Sequence, residues 1–239
     1  AAVSAAELGL ITADELEKRL SGTMDTVDKM QKWHGHLYNW YRTDTLEVMR
    51  PRYVSTVDSG NFCACLITGS MALKKYGRED TAARLERAAR ETDFSALYDA
   101  ERKLFRIGYD GDACELSNSW YDLLASEARL TSLIAVALGS VKPEHWFKLG
   151  RQMAPVLGGT LVSWSGTMFE YLMPVLFTGA APDTLLYNSC LNAVKAQKRQ
   201  RYGGVWGISE SGYYAFDRNM YYQYRAFGLQ RLSLMSCRE

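Results

Sequence analysis

Two glutamates have surroundings that suit chemistry. Glu127 falls in the run Ser119 to Leu138, where Trp120, Leu123, Leu124, Glu127, Leu130 and Ile134 recur at helical spacing and form one stripe. A carboxylate on an apolar stripe is costly unless it is paired or hydrogen-bonded. Burial also raises its pKa, as a general acid working near neutral pH requires. The same spacing equally fits a structural glutamate that caps a neighbouring helix or pairs with an arginine. Glu210 lies in Tyr202-Gly-Gly-Val-Trp-Gly-Ile-Ser-Glu210-Ser-Gly-Tyr-Tyr, a loop of glycines and aromatics around one carboxylate. Glycines let a ligand approach the backbone. Trp206, Tyr213 and Tyr214 offer flat faces for sugars. A solvated loop acid is the alternative.

Two further segments carry polar groups. Arg52-Tyr-Val-Ser-Thr-Val-Asp58-Ser-Gly-Asn61 reads as a loop that delivers Arg52, Tyr53 and Asp58 and then starts a helix at Ser59 or Gly60. Asp58 is placed to bond a sugar or to cap that helix. Trp164-Ser-Gly-Thr-Met-Phe-Glu170-Tyr sets Glu170 in an apolar run, for anchoring or for substrate binding. Glycoside cleavage needs two carboxylates flanking a bond: one protonates the leaving oxygen, the other attacks the sugar carbon or activates water. Glu127 and Glu210 are the pair with distinct settings.

Other chemistries are disfavoured. Lys and Arg total 28 against 27 Asp and Glu, so there is no basic excess for nucleic acid. The basic run Lys195 to Arg201 suits a helix C-terminus. No apolar stretch has the length of a membrane span, and Leu130 to Leu138 is too short. Five cysteines, Cys63, Cys65, Cys114, Cys190 and Cys237, show no disulfide framework. They fit a reducing, cytoplasmic setting, within a soluble chain or as part of an inner-membrane protein. Cys63-Ala-Cys65 and His34-Gly-His36 lack partners at metal-ligand spacing, so no metal and no cofactor is expected. His145 beside Trp146 reads as packing. There is no phosphate loop, no dinucleotide fingerprint and no serine-hydrolase elbow.

The elements that must position these residues are mainly helical. Thr12-Ala-Asp-Glu15 is a capping-box pattern. Helices are expected over Ser21 to Trp33, Asn61 to Tyr76, Asp80 to Glu91, Ser119 to Leu138 and Asp183 to Gln200, the last stopped by Gly203-Gly204. Pro143 opens a further helix, Gly166 to Phe177 is a buried segment, and Leu104 to Tyr109 is a short strand. No linker divides the chain, which is read as one domain over residues 1–239.

Several segments resemble the glycoamylase-like region of the cyclic β-1,2-glucan synthases. They are His34-Gly-His-Leu-Tyr-Asn-Trp-Tyr41, Pro51-Arg-Tyr-Val-Ser-Thr-Val-Asp-Ser-Gly-Asn61, Tyr121-Asp-Leu-Leu-Ala-Ser-Glu-Ala-Arg129, Ser163-Trp-Ser-Gly-Thr-Met-Phe-Glu-Tyr-Leu-Met-Pro174, Trp206-Gly-Ile-Ser-Glu-Ser211 and Tyr222-Gln-Tyr-Arg-Ala-Phe-Gly228. The resemblance implies an all-α fold, an (α/α)6 toroid. It implies retaining transglycosylation that closes linear β-1,2-glucan into rings. A more distant resemblance is to endo-β-1,2-glucanases. By resemblance Glu127 is the acid/base, acting through a sugar hydroxyl, and Glu210 is the nucleophile. By resemblance Asp58 belongs to the substrate site; Arg52, Tyr53, Trp164, Glu170, Trp206 and Tyr213 are candidate substrate-binding residues from their own surroundings. The chain departs from the pattern at Phe62-Cys-Ala-Cys65 and after Gly228. The expectation is therefore an incomplete toroid, truncated at its C-terminus, that a partner chain or a second copy completes. A noncatalytic glucan-binding or interaction fragment is the competing reading, and a toroid epimerase or lyase a third.

Overall fold

The computed structural model describes residues 1–200, 204–207, 209–218, 220 and 223–234. Tyr202, Gly203, Ile208, Tyr222 and Cys237, and the end of the basic run at Arg201, lie outside the described residues. The helices are α1 Ala2–Glu7, α2 Ala13–Val27, α3 Thr56–Lys75, α4 Glu79–Glu91, α5 Arg129–Ala137, α6 Glu144–Lys148, α7 Met168–Leu172, α8 Val175–Thr178 and α9 Leu185–Arg199. Short strands intervene: β1 Lys32–Trp33, β2 His36–Leu37, β3 Tyr53–Ser55, β4 Tyr98–Asp99, β5 Leu104–Arg106, β6 Gly108–Asp110, β7 Glu115–Leu116, β8 Trp120–Tyr121, β9 Met153–Ala154, β10 Thr160–Leu161, β11 Glu210–Gly212 and β12 Tyr224–Ala226.

An all-α description is therefore too simple. Helices supply the larger elements, and small antiparallel ribbons shape the connections between them. The chain divides into two compact units. One comprises Ala1–Trp120 and Thr131–His145, the other Tyr121–Leu130 and Trp146–Glu239. The chain passes between them three times, and no Gly/Ser or Pro linker marks the crossings.

In the first unit α3 packs along α4, with Leu16, Leu66, Leu73, Leu85, Phe94 and Phe105 fully or almost fully buried. The Thr12 hydroxyl accepts the Glu15 amide and starts α2, as the capping pattern predicts. Helix α2 ends at Val27, so no helix runs from Ser21 to Trp33; β1 and β2 form a hairpin there, turning on His34-Gly35 at positive φ. Helix α3 starts at Thr56, several residues earlier than its apolar pattern suggests, because the Ser55 hydroxyl caps the Asp58 amide at 3.2 Å. Gly60 is needed inside this helix. A Cβ there would lie 2.0 Å from Thr131 Oγ1 and 2.7 Å from Thr131 Cα. The single strand expected over Leu104 to Tyr109 is two strands, β5 and β6, and β6 joins β3 with the register Tyr53–Asp110, Val54–Tyr109 and Ser55–Gly108.

In the second unit α9 has its Thr184 cap, with Lys198 and Arg199 in its last turn, where cations suit the helix dipole. The long helix over Ser119 to Leu138 is not formed as such. Only Arg129–Ala137 is helical, and residues 122–128 are a buried loop. The backbone of Gly150 holds this loop, accepting from the Leu124 amide at 3.0 Å and donating to the Asp122 carbonyl at 2.6 Å. Leu123, Leu124, Ala125, Ala128 and Leu130 are buried with or without a helix. The helical spacing thus reflects burial of a loop followed by a short helix.

Candidate active site

The second unit brings Glu127, Glu170 and Glu210 close enough for their charges to interact. Glu127 stands two residues before α5, at the end of the buried loop. The Ser126 hydroxyl reaches its carboxylate at 3.4 Å and also accepts the Ala128 amide at 3.1 Å, which fixes the turn. Burial pushes the Glu127 carboxyl up to about 7, helped by the negative charges of Glu170 and Glu210. At neutral pH this carboxyl is therefore partly protonated, where an ordinary glutamate is fully ionised.

Glu210 opens β11, which pairs with β12 in the register Glu210–Ala226, Ser211–Arg225 and Gly212–Tyr224. The hairpin carries the Tyr224 hydroxyl onto Glu210 Oε2, to which it donates. Thr167 Oγ1 lies 3.4 Å from Glu210 Oε1 and 3.0 Å from Glu170 Oε2, so the two carboxylates share its one proton. These hydroxyls orient the carboxylate. Tyr224 lies inside Tyr222-Gln-Tyr-Arg-Ala-Phe-Gly228, but nothing in its spacing singled it out; only strand pairing places it opposite the Glu210 hairpin.

Glu170 is held differently. It is 3% exposed, and its carboxylate accepts the Ser163 hydroxyl at 2.9 Å, the Ser165 amide at 3.1 Å and the Thr167 amide at 2.8 Å. With the Thr167 hydroxyl accepting the Glu170 amide, this is a full capping box at the start of α7. Of the two roles open to Glu170, this geometry serves anchoring. Trp164 contributes backbone to the same region: its carbonyl accepts the Ser233 hydroxyl at 2.9 Å. The segments carrying Ser165-Gly166 and Gly228-Leu229 touch so closely that a Cβ on Gly228 would lie 1.7 Å from the Ser165 carbonyl oxygen, and one on Gly166 2.4 Å from that of Leu229.

Trp206 and Tyr213 flank Glu210 in sequence and are 48% and 45% exposed, so both have ring surface open to a ligand. Lys198 lies over the Trp206 ring at 4.5 Å from its centroid. Arg52, Tyr53 and Asp58 belong to the first unit. Asp58 is exposed on the first turn of α3 and is not the helix cap; Ser55 is. The Arg52 amide donates to Asp112 at 3.0 Å, and the Tyr53 hydroxyl is pushed up by burial and by the charges of Asp110 and Asp58.

The remaining candidates are structural. His36 is buried, with Nε2 2.9 Å from the Asp93 carbonyl oxygen and its ring edge-on to Phe94. His145 bridges the Lys103 carbonyl and the Ser132 hydroxyl. Cys63 and Cys65 are free thiols, and no metal-binding cluster of His, Cys, Asp and Glu occurs among the described residues. No described helix is long and apolar enough to cross a membrane. A cleft of about 740 Å³ in the second unit, lined among others by Leu157, Arg199 and Arg231, includes none of the three glutamates.

No protein-family profile matches the chain. It is 32% identical to the cyclic β-(1,2)-glucan synthase NdvB of Rhizobium meliloti (strain 1021), over 97% of this chain and 13% of that protein. Over that stretch the chain is similar to a cyclic β-1,2-glucan synthase. It spans about an eighth of that synthase's length. Its fold matches the endo-β-1,2-glucanase of Chitinophaga pinensis, solved with sophorotriose and glucose, at a TM-score of 0.74 and 16% identity, over 98% of this chain and 62% of that one. It matches a glucoamylase-like protein of Bacteroides fragilis NCTC 9343 at the same TM-score and identity, over 97% and 61%. The fold is thus shared with glucoamylase-like proteins, and the chain spans about three-fifths of their length.

Proposed function

We propose that this chain carries the active centre of a retaining β-1,2-glucan transglycosylase, with hydrolysis when water intercepts the glycosyl-enzyme. The observation that carries the reading is the contrast between two neighbouring carboxylates. Glu127 is desolvated, its pKa raised to about 7, while Glu210 accepts the Tyr224 hydroxyl and lies 3.4 Å from that of Thr167. The likeness to NdvB supports the substrate class.

In this mechanism Glu210 attacks the anomeric carbon and Glu127 delivers a proton to the departing chain through a sugar hydroxyl. A glycosyl ester then links the sugar to Glu210. Glu127, now ionised, takes a proton from the incoming hydroxyl, and attack by that hydroxyl releases Glu210. A hydroxyl of the same chain closes a ring; water gives hydrolysis. Within the second unit Trp206 and Tyr213 supply sugar platforms, and Trp164 and Glu170 hold the wall of the site; Arg52, Tyr53 and Asp58 of the first unit are proposed to bind glucan through their polar groups. The same reading places the chain in one glycoamylase-like (α/α)6 toroid on the cytoplasmic side of the cell, associated with a partner chain or a second copy. No cofactor takes part.

Mass spectrometry of the products from linear β-1,2-glucan tests the proposal. Cyclic or redistributed chains are expected from wild type and not from Glu210→Gln. Binding without turnover by folded wild type would instead favour a noncatalytic glucan-binding fragment.

A further inference from the structure

Arg129 is a buried cation, 4% exposed, that donates to carbonyls instead of to a carboxylate. Its Nη1 reaches the Ser126 carbonyl at 3.3 Å and the Glu170 carbonyl at 2.9 Å, and its Nη2 reaches the Tyr171 carbonyl at 2.5 Å. Ser126 immediately precedes Glu127. Glu170 and Tyr171 belong to α7, whose other end is tied to the Glu210 segment: the Phe169 amide donates to the Ser209 hydroxyl at 3.0 Å, and Thr167 reaches Glu210. The planar guanidinium spans three acceptors at fixed angles, which a lysine ammonium on a flexible stem does not reproduce.

We propose that Arg129 is a positioning residue that pins the Glu127 loop to α7, so that one short helix sets the relative placement of the acid and the nucleophile. The inference rests on the proposed roles of Glu127 and Glu210 and adds a residue that touches neither the sugar nor the reacting atoms. The charged groups facing Glu127 are Glu170 from α7, Glu210 from β11 and Arg129 itself; Arg129 also faces the Cys190 thiol of α9 and the Tyr171 hydroxyl of α7. Holding the loop closed keeps Glu127 away from water, and that desolvation is the main cause of its raised pKa.

Arg129→Lys preserves the charge and removes the fork. With glutamate-¹³C labelling, NMR titration of Glu127 should show a midpoint near 7 in wild type, falling towards the ordinary 4.5 in Arg129→Lys as the loop opens to water. The kcat/KM for β-1,2-glucan should fall about 100-fold with KM little changed, the cost of a misplacement on the order of 1 Å. A role as charge alone leaves the Arg129→Lys midpoint at its wild-type value. A merely structural role lowers the melting temperature and leaves the Glu127 midpoint in place. Either result overturns the proposal. Should Arg129→Lys not fold, the wild-type guanidinium ¹⁵N resonances decide. They should follow the Glu127 midpoint, and resonances that stay fixed through it contradict the coupling. The titrations need no turnover, so an inactive wild type would overturn the proposed function without touching this result.

Discussion

The hydroxyl of Thr167 lies 3.4 Å from Oε1 of Glu210 while its own amide bonds to the Glu170 carboxylate at 2.8 Å. The Glu170 capping box therefore fixes a hydroxyl that touches the proposed nucleophile. Glu170→Gln replaces an all-acceptor carboxylate by an amide whose NH₂ faces backbone donors. A loss of about 1–3 kcal/mol in unfolding free energy is expected, measured by urea denaturation. Glucan cleavage should weaken with it, and unchanged stability would contradict this reading of Glu170.

Tyr224→Phe removes the hydroxyl that donates to Glu210 and leaves the ring. A hydrogen bond to a charged group contributes about 1.5–3 kcal/mol, so kcat should fall about 10- to 100-fold if the contact tightens at the transition state. Steady-state kinetics on linear β-1,2-glucan check it.

The Glu127 pKa gives both activity and stability a pH signature. Activity should fall as pH rises through about 7, when the acid loses its proton. Stability should move in the same direction. Below 4.5 Glu127 is protonated in both folded and unfolded chains; between 4.5 and about 7 the unfolded chain ionises first, so it binds fewer protons and unfolding becomes easier. At about 1.4 kcal/mol per pKa unit, the cost above pH 7 reaches about 3 kcal/mol. Glu127→Gln should therefore raise the melting temperature at pH 8 and leave it near wild type at pH 4, with catalysis lost at both. Equal effects at the two pH values would contradict a desolvated Glu127.

Gly60→Ala tests a packing constraint in the first unit. The added Cβ would meet Thr131 Oγ1 at 2.0 Å, and trimming that side chain to alanine leaves the contacts with its Cβ at 2.6 Å and its Cα at 2.7 Å. A destabilisation of about 1–3 kcal/mol or more is expected from thermal melts, and Thr131→Ala should rescue it only in part.

The candidate carboxylates were easier to pick out in the sequence than the architecture that holds them. Glu127 and Glu210 stood out by their surroundings and by the resemblance, and the structure brings them into one unit. The helical stripe from Trp120 to Ile134 misled because burial alone produces it, whether the backbone is helical or held as a loop by Gly150. Asp58 was open to reading as the α3 cap because Asp is a good cap; Ser55, three residues earlier, takes that position where β3 ends. The two-residue ribbons left no alternation long enough to read. The fork of Arg129 and the Tyr224 contact join segments 41 and 14 residues apart, which no local spacing reveals.

Trapping the glycosyl-enzyme tests the central claim most directly. Glu127→Ala, given an oligo-β-1,2-glucosyl fluoride whose leaving group needs no proton, should accumulate a covalent adduct, because without Glu127 its breakdown lacks a base. Peptide mass spectrometry should place the added sugar mass on Glu210. A label on another residue, or turnover of the fluoride by folded protein with no label at Glu210, would contradict the account.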